Sequence, residues 1–231
     1  MRLLLRFLGM LALMALTGIL LMQLWFFGWV LWWSKNNPGN SAFMSAQLEQ
    51  MQRKDPGARL AHQWVDYERI SAHLKRAVIA AEDANFSDHD GVDWDAIEAA
   101  YLQNVKKGKV IRGGSTITMQ LAKNLFLSGS RSYWRKAQEL MITYMIEFAM
   151  SKQRILEIYL NIAEWGVGVF GARAGAQHHF AVDVAKLTPA QSARMAAMLP
   201  SPRTFDRNRN SPYLARRAAM ILRGMGEVDA P

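Results

Sequence analysis

The run FLGMLALMALTGILLMQLWFFGWVLWW, residues 7–33, contains no charged side chain over 27 consecutive positions. About 20 apolar residues are enough for a helix to cross the hydrocarbon core of a bilayer. A cleavable signal peptide has an apolar stretch of only about 7–15 residues, followed by small residues at its cleavage site. This run is longer, and it ends in aromatic residues, which are typical of a membrane interface. We therefore predict one uncleaved transmembrane signal-anchor over residues 7–33, with a buried core helix as the alternative.

The charges on either side of this segment indicate an orientation. Arg2 and Arg6 precede it, and Lys35 follows it. Lys and Arg concentrate on the cytoplasmic side of membrane helices. The pattern favours a cytoplasmic N-terminus over residues 1–6 and an exported remainder.

Composition and net charge limit the kinds of protein that the exported part can be. The 231 residues include 28 Lys and Arg against 19 Asp and Glu, a net charge of +9, and 51% are hydrophobic, which excludes a disordered chain. There is no Cys, so disulfide scaffolds, thiolate zinc sites and cysteine nucleophiles are excluded. Because Arg2 and Arg6 are the only charges before residue 34, the rest of the chain keeps a charge of +7. A basic domain beside a bilayer attracts anionic head groups or an anionic lipid-linked substrate. No nucleic-acid motif is present, and we expect no nucleic-acid partner.

After the anchor, residues 34–54 open with SKNNPGNSAFM and are predicted to be a linker. From about residue 70 the periodicity is helical, and we predict one mainly α domain over residues 55–225 with a tail at 226–231. A short strand near Lys109–Ile111 is the only strand that we predict, and Gly166, Gly168 and Gly171 are taken to mark a loop. The helices are predicted after the caps Ser71 and Thr188 and over Asp93–Asn104, Thr116–Leu127, Trp134–Met150, Lys152–Tyr159 and Pro212–Arg223. Residues 134–150 are apolar nearly all round, which predicts a buried helix.

Glu82 is the first candidate for chemistry. It follows Val78 by one turn, on the apolar stripe of its helix. Partial desolvation there would raise the pKa of the carboxyl and suit it to proton transfer near neutral pH. The alternative is an ordinary carboxylate at a helix end, paired with Lys75 or Arg76.

Glu139 is the second candidate, in the apolar helix that begins near Trp134. Arg135 lies four residues earlier and Lys136 three. An intrahelical ion pair, worth a few tenths of a kcal/mol, is the alternative and is favoured by the pattern alone.

The segment Gly113–Thr116 (GGST) precedes a helix and could present backbone N–H groups to an anion such as a diphosphate. The basic residues Lys106, Lys107, Lys109 and Arg112 precede it, and Lys123 follows. The alternative is a flexible loop with a Ser or Thr cap. The five histidines show no metal-ligand spacing, and the adjacent pair His178–His179 cannot point in one direction on a helix, so we expect a structural role for it.

Several motifs together resemble the peptidoglycan glycosyltransferases, the glycan-polymerising modules of class A penicillin-binding proteins and their monofunctional relatives. Residues 82–91, EDANFSDHDG, resemble the ED-x-x-F-x-x-H-x-G motif of that family. The later motifs are similar to GGSTITMQLAKN at 113–124, RKAQE at 135–139, KQRILEIYLN at 152–161, and the segments 168–180 and 187–202. All occur in order over roughly residues 55–225, and since no transpeptidase domain follows, we expect the monofunctional type.

The resemblance implies a mainly α, lysozyme-like domain with a large head and a small jaw lobe partly sunk in the membrane. It implies polymerisation of lipid II, in which the growing glycan is the donor and lipid II the acceptor. The new β-1,4 bond forms with inversion, and undecaprenyl diphosphate leaves. The short linker resembles the Gram-negative kind, which implies a single-pass protein of the inner membrane with a periplasmic domain.

Roles for individual residues also come from the resemblance. Glu82 matches the general base, and Glu139 matches the second glutamate, which is assigned to the side of the leaving diphosphate or to support of the transition state. The candidates for substrate binding are the basic positions Lys123 and Arg135 and the positions Asp83, Gly114, Ser115, Thr116, Gln120 and Asn124. Met119 stands where the family usually has a Gln, which removes one polar contact.

No cofactor is expected to be required, although Mg²⁺ or Mn²⁺ could accompany the diphosphate. Expected partners are lipid II, the nascent glycan, the membrane and proteins of cell-wall synthesis or division. Two alternatives remain open. A lytic transglycosylase or muramidase would cleave glycan instead, but it has no diphosphate for the GGST segment, Lys123 and Arg135 to hold. A catalytically silent cell-wall scaffold would have no need of Glu82 and Glu139.

Overall fold

The computed structural model describes residues 1–108, 113–127 and 132–231 of the chain. These residues divide into two compact units, Met1–Asn37 and Pro38–Pro231. The strand predicted near Lys109–Ile111 and the basic residues Lys109 and Arg112 lie outside the described residues.

The first unit is dominated by one helix, α1, over Arg2–Trp33. At 1.5 Å per residue its 32 residues extend about 48 Å. It is long and apolar enough to cross a membrane, and most of its Leu, Phe and Trp side chains are exposed. A helix that presents apolar side chains all round is consistent with a membrane anchor.

Within its described residues, the second unit is mainly helical, as predicted, and carries three very short strands. Its helices are α2 Ala42–Gln52, α3 Ala72–Glu82, α4 Trp94–Lys107, α5 Ile117–Phe126, α6 Tyr133–Ala149, α7 Lys152–Ile162, α8 Ala172–Phe180, α9 Pro189–Met198, α10 Pro202–Arg207 and α11 Pro212–Gly224. Its strands are β1 Ala61–His62, β2 Glu164–Gly166 and β3 Val169–Phe170, and single 3-10 turns lie at Tyr67–Arg69 and Val184–Lys186.

Side-chain caps begin several of these helices, in agreement with the sequence. The hydroxyl of Ser71 accepts from His73 N–H at 3.3 Å, and Asp93 caps α4 through Ala96 N–H at 2.7 Å. Thr188 and Gln191 form a reciprocal capping box at the start of α9. Such caps can be predicted because they involve neighbouring residues only.

Helix packing brings the ends of several elements together. Helix α9 packs against α3 and α11, and α5 packs against α6 and α7. Helix α7 is the most deeply placed of these, with Ile155, Leu156, Ile158, Leu160 and Ile162 inaccessible to solvent. Glu82, the last residue of α3, therefore meets side chains from α5 and α11.

A small sheet of order β1-β3-β2 corrects the expected loop at Gly166–Gly171. Strand β3 pairs in parallel with β1, with Ala61 opposite Val169, and antiparallel with β2. Strands of two or three residues are too short to show alternation in a sequence. Gly171 has φ +82°, and a Cβ there would lie 2.7 Å from the carbonyl oxygen of Asn161, so the position requires glycine.

Two other expectations were wrong. The predicted linker contains α2, which starts at the cap Ser41 and fully buries Met44. Helix α6 is not buried all round: Ile142 and Ile146 are inaccessible, whereas Trp134 is 65% and Phe148 82% exposed. An apolar pattern in the sequence shows that a helix surface is hydrophobic, but it does not show whether other parts of the protein cover that surface.

Candidate active site

Glu82 lies at the C-terminal end of α3 with only 12% of its side chain exposed. Its Oε2 accepts a hydrogen bond from Nε2 of Gln120 at 2.8 Å, and its Oε1 lies 3.4 Å from Nη2 of Arg217. Burial raises the pKa of Glu82 above its ordinary value; the Gln120 hydrogen bond and the charges of Arg217 and Lys123 oppose this effect. The predicted desolvation is confirmed, while the catalytic role stays a prediction.

A buried tyrosine orients the amide that contacts Glu82. The hydroxyl of Tyr159, in α7, donates to Oε1 of Gln120 at 3.1 Å. Burial raises the pKa of Tyr159 well above its usual value, so its O–H stays protonated and continues to donate. With its carbonyl oxygen engaged in this way, Gln120 presents its NH₂ group to Glu82.

Asp83 joins the end of α3 to the start of α5. Its Oδ2 accepts the backbone N–H of Ile117 at 3.0 Å, and its Oδ1 contacts Nε2 of His89 at 2.9 Å. Nδ1 of His89 accepts the N–H of Gly91 at 3.1 Å, so the ring proton on Nε2 faces Asp83. Burial lowers the pKa of His89, but the hydrogen bond and the charge of Asp83 raise it above its ordinary value. The Asp83 carboxylate thus occupies a helix N-terminus, where negative charge is favourable.

This arrangement changes the interpretation of Gly113–Thr116. Thr116 caps α5 by accepting from Met119 N–H at 3.2 Å, and it donates to the carbonyl of Gly91 at 2.6 Å. A Cβ on Gly114 would lie 2.9 Å from Cγ1 of Ile97. Thr116 and Asp83 therefore bind backbone groups of the protein at this helix start, which favours the cap over an anion-binding loop.

Glu139, on α6, is 3% exposed and contacts two basic side chains. Its Oε2 lies 3.2 Å from Nη1 of Arg135, and its Oε1 lies 2.5 Å from Nζ of Lys136. The same Nζ lies 3.4 Å from Oγ of Ser115. The intrahelical pair considered from the sequence is present, and it links the start of α6 to the segment before α5.

Lys123 lies on α5, and its ammonium group makes no hydrogen bond or ion pair with another described residue. Burial lowers the pKa of this ammonium; Glu139 and Glu82 raise it, and Arg135 and Lys136 lower it further. A partly desolvated cation between two carboxylates and two other cations is suited to bind an anion.

A cavity of about 480 Å³ lies beside Lys123. Glu82 and Glu139 do not line the cavity. Two of their contacts do: Gln120, which contacts Glu82, and Arg135, which contacts Glu139. Its polar lining residues are Gln120, Lys123, Asn124, Arg135, Tyr159 and Glu164, and its apolar ones are Phe43, Leu127, Ala163, Leu199, Pro200 and Pro202.

Comparison with known proteins identifies the family of the chain. A family model described as transglycosylase matches residues 46–226. The chain belongs to the transglycosylase family. Curated relatives named biosynthetic peptidoglycan transglycosylase include one from Herminiimonas arsenicoxydans, 57% identical over all 231 residues and over the whole of both chains. Another, from Janthinobacterium sp. (strain Marseille), is 59% identical over 213 residues, 92% of each chain. A third, from Bordetella pertussis, is 56% identical over 216 residues, 92% of this chain and 89% of that one.

Membership in the transglycosylase family confirms the assignment made from the motifs and makes the chain a glycosyltransferase. The matched region begins at residue 46, within α2, which agrees with the finding that this stretch is folded. Met119, the departure from the usual motif, is 3% exposed and packs in the core.

The structure also adds residues that sequence reasoning missed. Arg217 contacts Glu82, and Glu164, 8% exposed, lines the cavity while pairing with Nε of Arg203 at 2.8 Å. Tyr159 lies within the family motif at residues 152–161, but the sequence did not lead us to predict a role for it in the site. The sequence alone could not indicate Arg217 or Glu164. Arg217 is 135 positions from its partner Glu82, and Glu164 is 39 positions from its partner Arg203.

The histidine pair at the end of α8 points more nearly in one direction than expected, while its structural role stays a prediction. The rings of His178 and His179 approach to 4.8 Å between centroids, and both offer ring nitrogens near Asp206. Two long side chains in a last helical turn can bend toward each other, although their Cβ atoms diverge. Nη2 of Arg209 lies 2.7 Å from Asp206 and 2.9 Å from His178, so a cation of the protein already occupies this cluster.

Proposed function

We propose that the chain polymerises glycan strands by transferring the growing lipid-linked glycan onto the 4-hydroxyl of lipid II, the disaccharide-pentapeptide on undecaprenyl diphosphate. The observation that carries this proposal is the pairing of a desolvated carboxylate, Glu82, with a cavity lined by the cations Lys123 and Arg135. A reaction that deprotonates a sugar hydroxyl and releases a diphosphate requires these two features together. The names of the close relatives support the same substrate.

Glu82 is proposed as the general base. The 4-hydroxyl oxygen of the acceptor attacks C1 of the donor, and its proton passes to the Glu82 carboxylate. General-base assistance of this kind contributes a factor of about 10²–10⁴. The Gln120 amide holds one carboxylate oxygen at 2.8 Å, which leaves the lone pairs of the carboxylate oriented before the substrate arrives.

Lys123 and Arg135 are proposed to hold the leaving diphosphate. As the bond between C1 and the diphosphate oxygen breaks, negative charge develops on that oxygen. Cations that are already in place stabilise this charge without reorganising. Attack from the face opposite the leaving group inverts the configuration at C1 and gives the β-1,4 bond.

Glu139 is proposed to organise these cations. It contacts both Arg135 and Lys136 and interacts electrostatically with Lys123. Ser115 and Asn124 supply polar groups near the same side, through the Lys136 contact and the cavity lining respectively. Asp83, Gly114 and Thr116 support the site by building the start of α5.

We propose that the protein needs no resident metal ion. The only carboxylate that lines the described cavity is Glu164, and it is already paired with Arg203. The His and carboxylate groups with metal-like spacing, such as Asp83, His89 and Asp93, do not line this cavity and already bind protein groups. Any Mg²⁺ or Mn²⁺ would then be held by the diphosphate itself.

For the location, we propose a single-pass protein of the inner membrane with its domain in the periplasm. The apolar helix α1 and the charges at Arg2 and Arg6 support this. Exposed apolar side chains at the end of α4, including Tyr101 and Val105, and at the start of α6, Tyr133 and Trp134, supply a surface for the lipid-facing lobe. Proteins of cell-wall synthesis or division are the partners that we expect.

The decisive experiment incubates the purified full chain in detergent with labelled lipid II, beside the Glu82→Gln and Glu98→Gln variants. Glu98 is an exposed glutamate of α4 and serves as the matched control. Muramidase-sensitive chains from the wild type and Glu98→Gln, and none from Glu82→Gln, are the expected result. Chains from Glu82→Gln would remove Glu82 as the base. If no variant forms chains but preformed glycan is cleaved, the proposal is wrong and the protein is a lytic enzyme.

A further inference from the structure

Arg217, on α11, is the only described residue whose cationic group lies within 4 Å of the Glu82 carboxylate. Its Nη2 is 3.4 Å from Oε1 of Glu82 and 3.4 Å from the carbonyl oxygen of Ala81. The guanidinium is thus held against both the side chain of the base and the last turn of its helix.

The contact is long, and the guanidinium is incompletely satisfied. Nε of Arg217 is buried and has no hydrogen-bond partner among the described residues. Helix α11 packs on α3 and α9, so helix packing, rather than strong hydrogen bonds, places the charge. A buried donor without a partner carries a free-energy cost, which indicates that the position of Arg217 is not optimised for stability alone.

The surroundings of Glu82 make this cation significant. Burial disfavours its ionisation, and so does the charge of Asp83, the residue that follows α3. Tyr159 on α7 is uncharged, and Gln120 on α5 donates a neutral hydrogen bond. Lys123 on α5 contributes charge but shares it with Glu139. Arg217 therefore provides the positive charge in direct contact with the carboxylate.

We propose that Arg217 is a positioning residue that keeps the Glu82 carboxylate ionised and oriented until the acceptor hydroxyl arrives. The inference rests on the proposed function of Glu82. A short bidentate pair would bind the carboxylate so firmly that it would be a poor base. The single contact at 3.4 Å retains the negative charge while leaving lone pairs free for the proton.

A matched set of variants separates charge from packing. Arg217→Lys keeps the positive charge, and Arg217→Gln removes it and leaves a shorter, uncharged polar side chain. Arg216→Ala is the control, because Arg216 is the preceding residue of α11, is exposed, and has a side chain that makes no hydrogen bond or ion pair with another described residue.

The first measurement does not depend on activity. The carboxyl carbons of glutamate are labelled with ¹³C in the full chain in detergent, and Glu82 is assigned by the signal that Glu82→Gln loses. The sign follows from the charge: a cation stabilises the carboxylate, so removing it raises the pKa of Glu82. We expect an upward shift in Arg217→Gln, a smaller one in Arg217→Lys and none in Arg216→Ala. An unchanged Glu82 titration in Arg217→Gln overturns the inference.

The second measurement is the pH profile of lipid II polymerisation by the same variants. Because the base acts when deprotonated, the rate rises with pH through the pKa of Glu82. Arg217→Gln is expected to lose about tenfold in rate on the acid limb and to approach the wild type at higher pH. A uniform loss at every pH would instead indicate substrate binding by Arg217 and overturn the positioning role. If the wild type forms no glycan, the proposed function fails, while the titration of Glu82 still reports on Arg217.

Discussion

Oδ2 of Asp83 accepts the backbone N–H of Ile117 at 3.0 Å, so the residue next to the proposed base holds the first turn of α5. Helix α5 carries both Gln120, which contacts Glu82, and Lys123, which lies beside the cavity. The distance between the base and the cation is therefore set by a hydrogen bond at the junction of α3 and α5, as well as by the packing of the helices.

Replacing Asp83 by Asn tests this junction. The variant loses the negative charge at the start of α5 and weakens the contact with His89. Hydrogen bonds to charged groups are worth about 1.5–3 kcal/mol, so we expect destabilisation by about 2 kcal/mol and a lower polymerisation rate. Thermal unfolding of the full chain in detergent measures the loss of stability, and the variant Asp90→Asn, at an exposed position, is the control. Stability equal to that of the control would show that Asp83 does not hold the helix start.

Replacing Lys123 by Met separates binding from stability. The ammonium is desolvated and unpaired among the described residues, so its removal should leave the free energy of unfolding unchanged or raise it. Lipid II binding should weaken by more than the roughly 1 kcal/mol of an exposed ion pair. Equilibrium binding and thermal unfolding are compared with the exposed Lys186→Ala. Unchanged lipid II binding would place the diphosphate elsewhere.

Replacing Tyr159 by Phe tests the orientation of Gln120. Without the phenol O–H, the amide can rotate and turn its oxygen toward Glu82, which repels the carboxylate. We expect a loss of about 1 kcal/mol in stability and a larger loss in kcat than in KM. Steady-state polymerisation kinetics measure both constants. Tyr213→Phe, at a 55% exposed position, is the control, and kinetics equal to that control would contradict the role of Tyr159.

Substitution of Glu82 and substitution of Glu139 should reduce activity to different extents. Glu139→Gln keeps the base and leaves Arg135 and Lys136 incompletely neutralised, so activity should fall less than in Glu82→Gln. The variant Glu147→Gln is a matched control on the same helix, because the Glu147 side chain is only 10% exposed and is paired with a lysine, Lys152, at 2.9 Å. Polymerisation rates decide the order. If Glu139→Gln were the more damaging change, the roles assigned to the two glutamates would have to be exchanged.

Local features of the fold could be predicted from the sequence, because the interactions that produce them join near neighbours. The caps at Ser71 and Thr188 and the position of Glu82 on the apolar stripe of α3 depend on residues that are close together in the sequence. The order and spacing of the family motifs indicated the function, and membership of the family confirmed it.

The remaining features depend on contacts between distant segments. Pairing of β1 with β3 joins residues more than 100 positions apart, and the contact between Arg217 and Glu82 spans 135. The role of Asp83 at the start of α5 likewise requires knowledge of where α3 ends relative to Ile117. Periodicity describes one element at a time, so it cannot provide these relationships.

The exposed apolar side chains of α6 have a practical consequence for handling the protein. Tyr133 is 97% exposed, Trp134 65% and Phe148 82%, and all three belong to the second compact unit. Deleting α1 would therefore not abolish the affinity of the chain for amphiphiles. A shortened version should still bind detergent micelles and aggregate on dilution below the critical micelle concentration, which would mask its enzymatic behaviour in detergent-free buffer.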